Sequence, residues 1–391
     1  MSPETITEPT PKAVTHIRRV FNLCAAKAIA NLPALAESNR TWAMDAAGDY
    51  SRWNEGFFEI GNWTSSFITG MGVLAWLDSE KEGVLRDLAL SEPNYIAKMD
   101  GENAKDTMHD LGFLYLLYSV ALYKTTGETR HRDLGLRAAN VLAARFVPEG
   151  NYIRAWGRMD DQNTDYAGLA IIDCMMNLPL LYWASTETGD PRFKDIAVRH
   201  SDMTLDAFIR EDDSVYHAFR FDEDGKPVGG DNYCGRGVES HWARGTAWAM
   251  YGFALGYRHT GDKRYLDASL RVSRKFVSLL DEDVVPVWDF RLLDGEFPLR
   301  DSSAAAIAIC AIQELEFHGK AELAMIRAKQ AMLDRLLSND YLDEDPNCRG
   351  VLKLSEVGDG VGKAKNTYTS WGDYYLMEAL GRELGISITW W

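Results

Sequence analysis

The chain has 391 residues, 46% of them hydrophobic, enough to bury one large core or two ordinary ones. A formal net charge of −16 excludes the basic face that nucleic acid or an anionic membrane surface demands. Apolar runs such as Leu111 to Tyr123 stop short of the roughly 18 to 20 residues a membrane span needs.

In chain order, Met1 to Lys12 is polar, with acidic residues and prolines where a secretory signal would place basic and then apolar ones. It is expected to be a tail on a single domain spanning residues 13–391. Cys24, Cys174, Cys234, Cys310 and Cys348 are odd in number and lack CxxC spacing, the pattern of reduced thiols in a cytoplasmic protein.

One phrase recurs: Thr126-Gly127-Glu128-Thr129-Arg130, Thr188-Gly189-Asp190-Pro191-Arg192 and Thr260-Gly261-Asp262-Lys263-Arg264. Glycine suits the left-handed residue that closes a helix, an acid suits the positive start of the next, and Pro191 fits a first helical position. The segments before these turns, Leu111 to Tyr123, Ala167 to Trp183 and Trp242 to Tyr257, are apolar or small on nearly every side and are predicted to be inner helices. Those after the turns are amphipathic. In the first of them Leu134, Ala138, Val141 and Leu142 share a face, while Arg137, Asn140 and Arg145 lie away from it.

The alternation extends to Asn62–Trp76 with Val84–Met99, to Ser302–Leu315 with Ala321–Leu337, and to Trp371–Leu384 with Pro11–Leu35. Six inner and outer pairs without polar capping repeats predict an all-α fold, a closed (α/α)6 toroid with short β-hairpins in its long loops. The connectors from outer back to inner helices run to about 10 to 35 residues, and long loops in compact domains carry function. They gather Trp63, His109, Asp110, Trp242, Arg244 and Trp371 at one end.

At that end Asp173 is expected about two turns into a helix with apolar neighbours. Burial there raises a carboxylate's pKa and suits a general acid; the alternative is a structural carboxylate paired with arginine. Asp110 begins an inner helix, whose dipole should keep it ionised; it reads either as a plain cap or as the second member of a catalytic pair. Arg244 and Trp248, four apart, share a helical face. The arginine could grip a carboxylate or serve as counter-ion to Asp173 or Asp110. His217 alternates with aromatic residues ahead of a hairpin turn at Asp224-Gly225, and a lone histidine there is more often structural than functional. Trp53, Trp63, Trp156, Trp242 and Trp288 border the long loops, as sugar platforms or core plugs. No HExxH, paired CxxC or glycine-rich phosphate loop is present, so neither metal nor cofactor is expected.

Five phrases in order, His109-Asp110-Leu111-Gly112-Phe113, Ile172 to Ala184, Trp242-Ala243-Arg244-Gly245, Arg300 to Ala305 and Trp371-Gly372-Asp373-Tyr374, resemble the unsaturated glucuronyl hydrolases of glycoside hydrolase family 88 from about residue 50 onward. The resemblance implies an (α/α)6 barrel with Asp173 as catalytic acid and base and Asp110 as a second active-site carboxylate. It also implies His109, His217, Arg244 and Trp248 around the substrate, with Trp63 and Trp156 as platforms. One departure stands out: ten residues before Arg244, where the family usually has glutamine ahead of glycine, this chain has Cys234-Gly235. The implied substrate is a 4,5-unsaturated uronic acid at a non-reducing end, left by a polysaccharide lyase and removed by hydration.

Three other readings remain open: an unsaturated rhamnogalacturonyl hydrolase, a sugar epimerase using paired histidines, and a non-catalytic sugar-binding module. Lys363 and Lys365, in the loop from Leu352 to Ser370, are candidates for contacting a sulfated neighbouring sugar. The oligomeric state is not legible.

Overall fold

The computed structural model describes residues 11–37, 44–45, 50, 62–358 and 366–391. Its helices are Pro11–Glu37 (α1), Ser65–Ser79 (α2), Glu82–Ala89 (α3), Glu92–Lys98 (α4), Leu111–Tyr115 (α5), Ala121–Thr126 (α6) and Thr129–Ala143 (α7). Pro179–Thr188 (α8), Pro191–Ala207 (α9), Ala243–Thr260 (α10), Lys263–Ser278 (α11), Ser302–Phe317 (α12), Leu323–Leu336 (α13) and Ser370–Glu383 (α14) follow. The inner helices pack in a ring: α2 on the α5–α6 rod, α5 on α8, α8 on α10, α10 on α12, α12 on α14, and α14 back on α2. The outer helices α3, α7, α9, α11, α13 and α1 each cover an inner neighbour. The predicted toroid therefore closes, and it belongs to the (α/α)6 barrels.

The repeated phrase does what its residues dictate. Gly127, Gly189 and Gly261 take φ of 74°, 74° and 72°, and their N–H groups donate to Tyr123, Ser185 and Tyr257 carbonyls. Asp190 and Asp262 then cap the next helix by accepting from the N–H of Arg192 and Arg264. Local chemistry alone sets these three turns.

Two inner helices depart from expectation. The α5–α6 rod is interrupted by a π-helical turn at Leu116–Val120, an irregularity that often sits near functional sites. The segment Ala167 to Trp183 is not one helix. It runs as a strand, Leu169–Ile171, then a 3-10 turn, Ile172–Met176, and only then α8, restarted at Pro179 because proline has no N–H to give an earlier turn.

Among the described residues, seven short strands lie in the connectors. Met44–Asp45 (β1) pairs with Tyr368–Thr369 (β7), and Phe146–Val147 (β2) with Tyr152–Ile153 (β3). Leu169–Ile171 (β4), Ala218–Phe221 (β5) and Pro227–Asp231 (β6) form an antiparallel sheet in that order, with Gly225 at φ 75° in the predicted hairpin turn. Because Ile171 pairs with Ala218, and the Ile172 N–H donates to the His217 carbonyl at 3.0 Å, Asp173 and His217, 44 apart in sequence, are forced together. That pairing positions the site.

Candidate active site

Asp173 sits on the 3-10 turn immediately after β4, rather than two turns inside a helix. Its side chain is 14% exposed, and Oδ2 has no hydrogen-bond partner among the described residues. Burial raises its pKa to about 6, against the opposing pull of the Arg244 charge. The nearest basic atom is His217 Nε2, 3.9 Å from Oδ2.

The tautomer of His217 follows from its surroundings. Nδ1 accepts from the main-chain N–H groups of both Tyr233 and Cys234 at 3.0 Å, so it carries no proton, and the ring hydrogen must be on Nε2, facing Asp173. Burial and the Arg244 charge lower its pKa to about 3, which keeps the ring neutral. The ring also meets Trp242, centroid to centroid 4.6 Å, and Tyr233 edge-on.

Asp110 corrects an expectation. It precedes α5, yet its side chain makes no cap hydrogen bond and is buried, so the helix does not hold it ionised. Desolvation and the Asp173 charge push its pKa well up, with Arg145 pulling the other way. Both carboxylates are therefore raised, where opposed tendencies were expected. His109 Nε2 lies 3.5 Å from Asp110 Oδ1, while His109 Nδ1 has no partner among the described residues; burial keeps this ring neutral as well.

Asn177 joins the two carboxylate segments. Its Oδ1 accepts from the Phe113 N–H at 2.8 Å and its Nδ2 donates to the Asp173 carbonyl at 3.1 Å. Gly112 makes this approach possible, since a Cβ there would stand 2.3 Å from the Asn177 Cα.

A neutral histidine facing a buried, proton-holding carboxylate, with a second carboxylate behind it and tryptophans around it, is equipment for acid and base chemistry on a sugar. A family model, Glycosyl Hydrolase Family 88, matches residues 34–381. The chain belongs to glycosyl hydrolase family 88. It is a glycoside hydrolase, and the resemblance noted in its sequence holds.

The family 88 chain is 37% identical over 328 residues to an unsaturated chondroitin disaccharide hydrolase of Streptococcus pyogenes serotype M1, covering 82% of this chain and 80% of that relative. It is 34% identical over 342 residues to an unsaturated glucuronyl hydrolase of Bacillus sp. (strain GL1), covering 84% and 88%. The crystal structure of the unsaturated glucuronyl hydrolase from Bacillus sp. GL1, responsible for the degradation of glycosaminoglycan, superposes with a TM-score of 0.87 at 30% identity, covering 96% of this chain and 99% of that one.

Arg244 of the family 88 enzyme is the counter-ion of neither site carboxylate. Its Nη1 donates to Asp301 Oδ2 at 2.7 Å and to the Glu356 carbonyl at 2.6 Å, and its Nη2 to the Val357 carbonyl at 2.6 Å. Asp301 is fully buried as the cap of α12, a role the α12 start Asp301-Ser302-Ser303 signals but its ion pair does not. The guanidinium lies between the rings of Trp242 and Trp371, 4.5 and 5.3 Å from their centroids. What remains for a ligand is Nε and one Nη2 hydrogen.

Trp248, expected to share a cavity with Arg244, is wholly buried against Phe113 and Tyr375 and presents no ring face; its Nε1 has no partner among the described residues. Trp63 is partly buried and stacked on Trp371 at 4.9 Å, and Trp156 is partly buried with its edge contacts to Tyr166 and Tyr233. Cys234 is half-buried, with its thiol pushed up to about 12 by burial while it feels the charges of Arg244, Asp173 and Asp301.

Trp53, Lys363 and Lys365 lie outside the described residues. Among the described residues no helix is long and apolar enough to cross a membrane, and all five cysteines are free.

Proposed function

We propose that this enzyme removes a 4,5-unsaturated uronic acid from the non-reducing end of lyase-generated oligosaccharides by hydrating its C4=C5 bond. Asp173 Oδ2 carries this reading: a buried carboxylate oxygen with no partner among the described residues, able to hold a proton near neutral pH, faces a histidine that stays neutral.

Asp173 delivers its proton to C4. Positive charge develops at C5 and the ring oxygen, and the remaining negative charge of the Asp110–Asp173 pair stabilises it. Water adds to C5 and returns a proton to the pair, which regenerates the acid. The C5–O5 bond then opens to a ketone, and C1, left as a hemiacetal, releases the linked sugar. The N–H on His217 Nε2 faces Asp173. Nε and Nη2 of Arg244 meet the substrate carboxylate and Trp63 and Trp156 flank the ring, while the buried His109 and Trp248 back the pocket wall. Cys234 lines the pocket without the amide that the family usually offers. Five free thiols support a cytoplasmic enzyme, acting on fragments taken up after lyase action.

The test mixes purified protein with unsaturated chondroitin, heparin and rhamnogalacturonan disaccharides and follows the ultraviolet absorbance of the conjugated double bond. Loss of absorbance with wild type and not with Asp173→Asn supports the proposal. Unchanged absorbance across the panel overturns it.

A further inference from the structure

The outer helix α7 ends at Ala143, and periodicity put Arg145 on the side away from the core. The structure buries it instead: the residue is 3% exposed. The helix has ended by then, so helical periodicity no longer governs the direction of the side chain.

Every donor nitrogen of Arg145 is spent on main-chain carbonyls. Nε donates to Arg154 at 2.9 Å, Nη1 to Thr107 at 2.7 Å, and Nη2 to Ala155 and Gly157 at 3.2 and 2.9 Å. Thr107 stands two residues before His109, and Ala155 and Gly157 flank Trp156. The Ala155 carbonyl also accepts from the His109 N–H at 3.0 Å. One guanidinium thus clamps the segment that follows β3 and bears Trp156 to the turn bearing His109 and Asp110.

Hydrogen bonds to carbonyls satisfy the donors of a buried cation but leave its charge uncompensated, and such a group is costly to keep. Arg145 forms an ion pair with no carboxylate among the described residues. The acidic groups that feel it are Asp110 and the Cys174 thiol, and the only other charge on it is the like charge of Arg154. Asp110 in turn faces Asp173, Arg145 and His109, and Asp173 faces Arg244 and His217. Burial lowers Arg145 only to about 10, so it remains charged at neutral pH.

We infer that Arg145 is a positioning residue for the reaction: its fork sets the His109–Asp110 turn against the Trp156 segment, and its charge keeps one negative charge on the Asp110–Asp173 pair. This rests on the hydration reading above.

The experiment compares wild type, Arg145→Lys and Arg145→Met over a range of pH, with circular dichroism to verify folding. Lysine keeps the charge and cannot span four carbonyls. Methionine keeps bulk and loses the charge. Both variants should lower kcat about tenfold or more through misplacement of the pair. In Arg145→Met the acid limb of kcat/KM should also move to higher pH by about one unit, because a cation no longer opposes protonation of Asp110; in Arg145→Lys the limb should stay in place.

A folded Arg145→Met variant whose acid limb coincides with wild type overturns the inference, as does an Arg145→Lys variant with wild-type kcat. Where the methionine variant fails to fold, the lysine variant decides: lowered kcat with an unmoved limb supports, wild-type kcat overturns. Absence of turnover by wild type would instead defeat the hydration reading, so the two failures are distinct.

Discussion

His217 Nε2 and Asp173 Oδ2 face each other across 3.9 Å, and two main-chain N–H groups on the far side of the imidazole dictate that the proton between them belongs to the histidine. The histidine thus turns an N–H toward Asp173 from beyond hydrogen-bond distance, and on the proposed mechanism both limbs of the pH profile belong to the carboxylates. Replacing His217 by alanine should lower kcat and leave in place the limb near pH 6 on which activity falls as Asp173 loses its proton. It should also strand the Tyr233 and Cys234 N–H groups, at about 1–3 kcal/mol each, read by chemical denaturation.

Asp173→Asn should lose about 10²–10⁴-fold in kcat and still bind substrate. Its stability should move the other way. The folded-state pKa of Asp173 is about 6 against an ordinary 3.8, so the folded state binds this proton more tightly. The resulting stability is fully present below the unfolded pKa and lost as pH rises through the folded one. At pH 7.5 the asparagine variant should therefore be more stable than wild type by up to about 3 kcal/mol, with the advantage gone near pH 4, as thermal melts at the two pH values would show.

Arg244 and Asp301 form a buried ion pair, so removing one partner leaves an uncompensated charge. Asp301→Asn should destabilise by about 3–5 kcal/mol, and Arg244→Met by a similar amount. The double variant should fall well short of the sum. Additivity in a double-mutant cycle would mean the pair is not a unit.

Gly112→Ala drives a methyl group into the Asn177 backbone, which cannot yield as a flexible side chain would. A loss of about 2–3 kcal/mol is expected, with kcat falling more than KM rises because the Asp110 and Asp173 segments are pushed apart. Wild-type kinetics in this variant would refute the contact.

Cys234→Gln restores the amide that unsaturated glucuronyl hydrolases usually carry at this position. The ratio of kcat/KM for unsaturated chondroitin over rhamnogalacturonan disaccharides should rise about tenfold, the scale of one buried polar contact.

The helix-to-helix turns, the inner and outer alternation and the end at which the loops gather were all legible in the sequence. They depend on local chemistry: a glycine at φ near 74°, an acidic cap, an apolar stripe, each complete within a few residues. Asp173 and Asp110 were legible as candidates because a carboxylate in apolar surroundings is conspicuous wherever the chain goes.

Tertiary structure alone decided the rest. Asp110 sits at a helix start, and only its burial beside Asp173 shows that desolvation outweighs the helix dipole. The strand at Leu169–Ile171 replaced part of a predicted helix because its partner lies in β5, beyond the reach of any local pattern. Arg244 found Asp301, and Arg145 turned inward to four carbonyls, through contacts 9 to 57 residues apart. Charge pairing and burial act through space. A sequence records which groups a protein has, while the packed chain determines which of them meet and how much water is left around them.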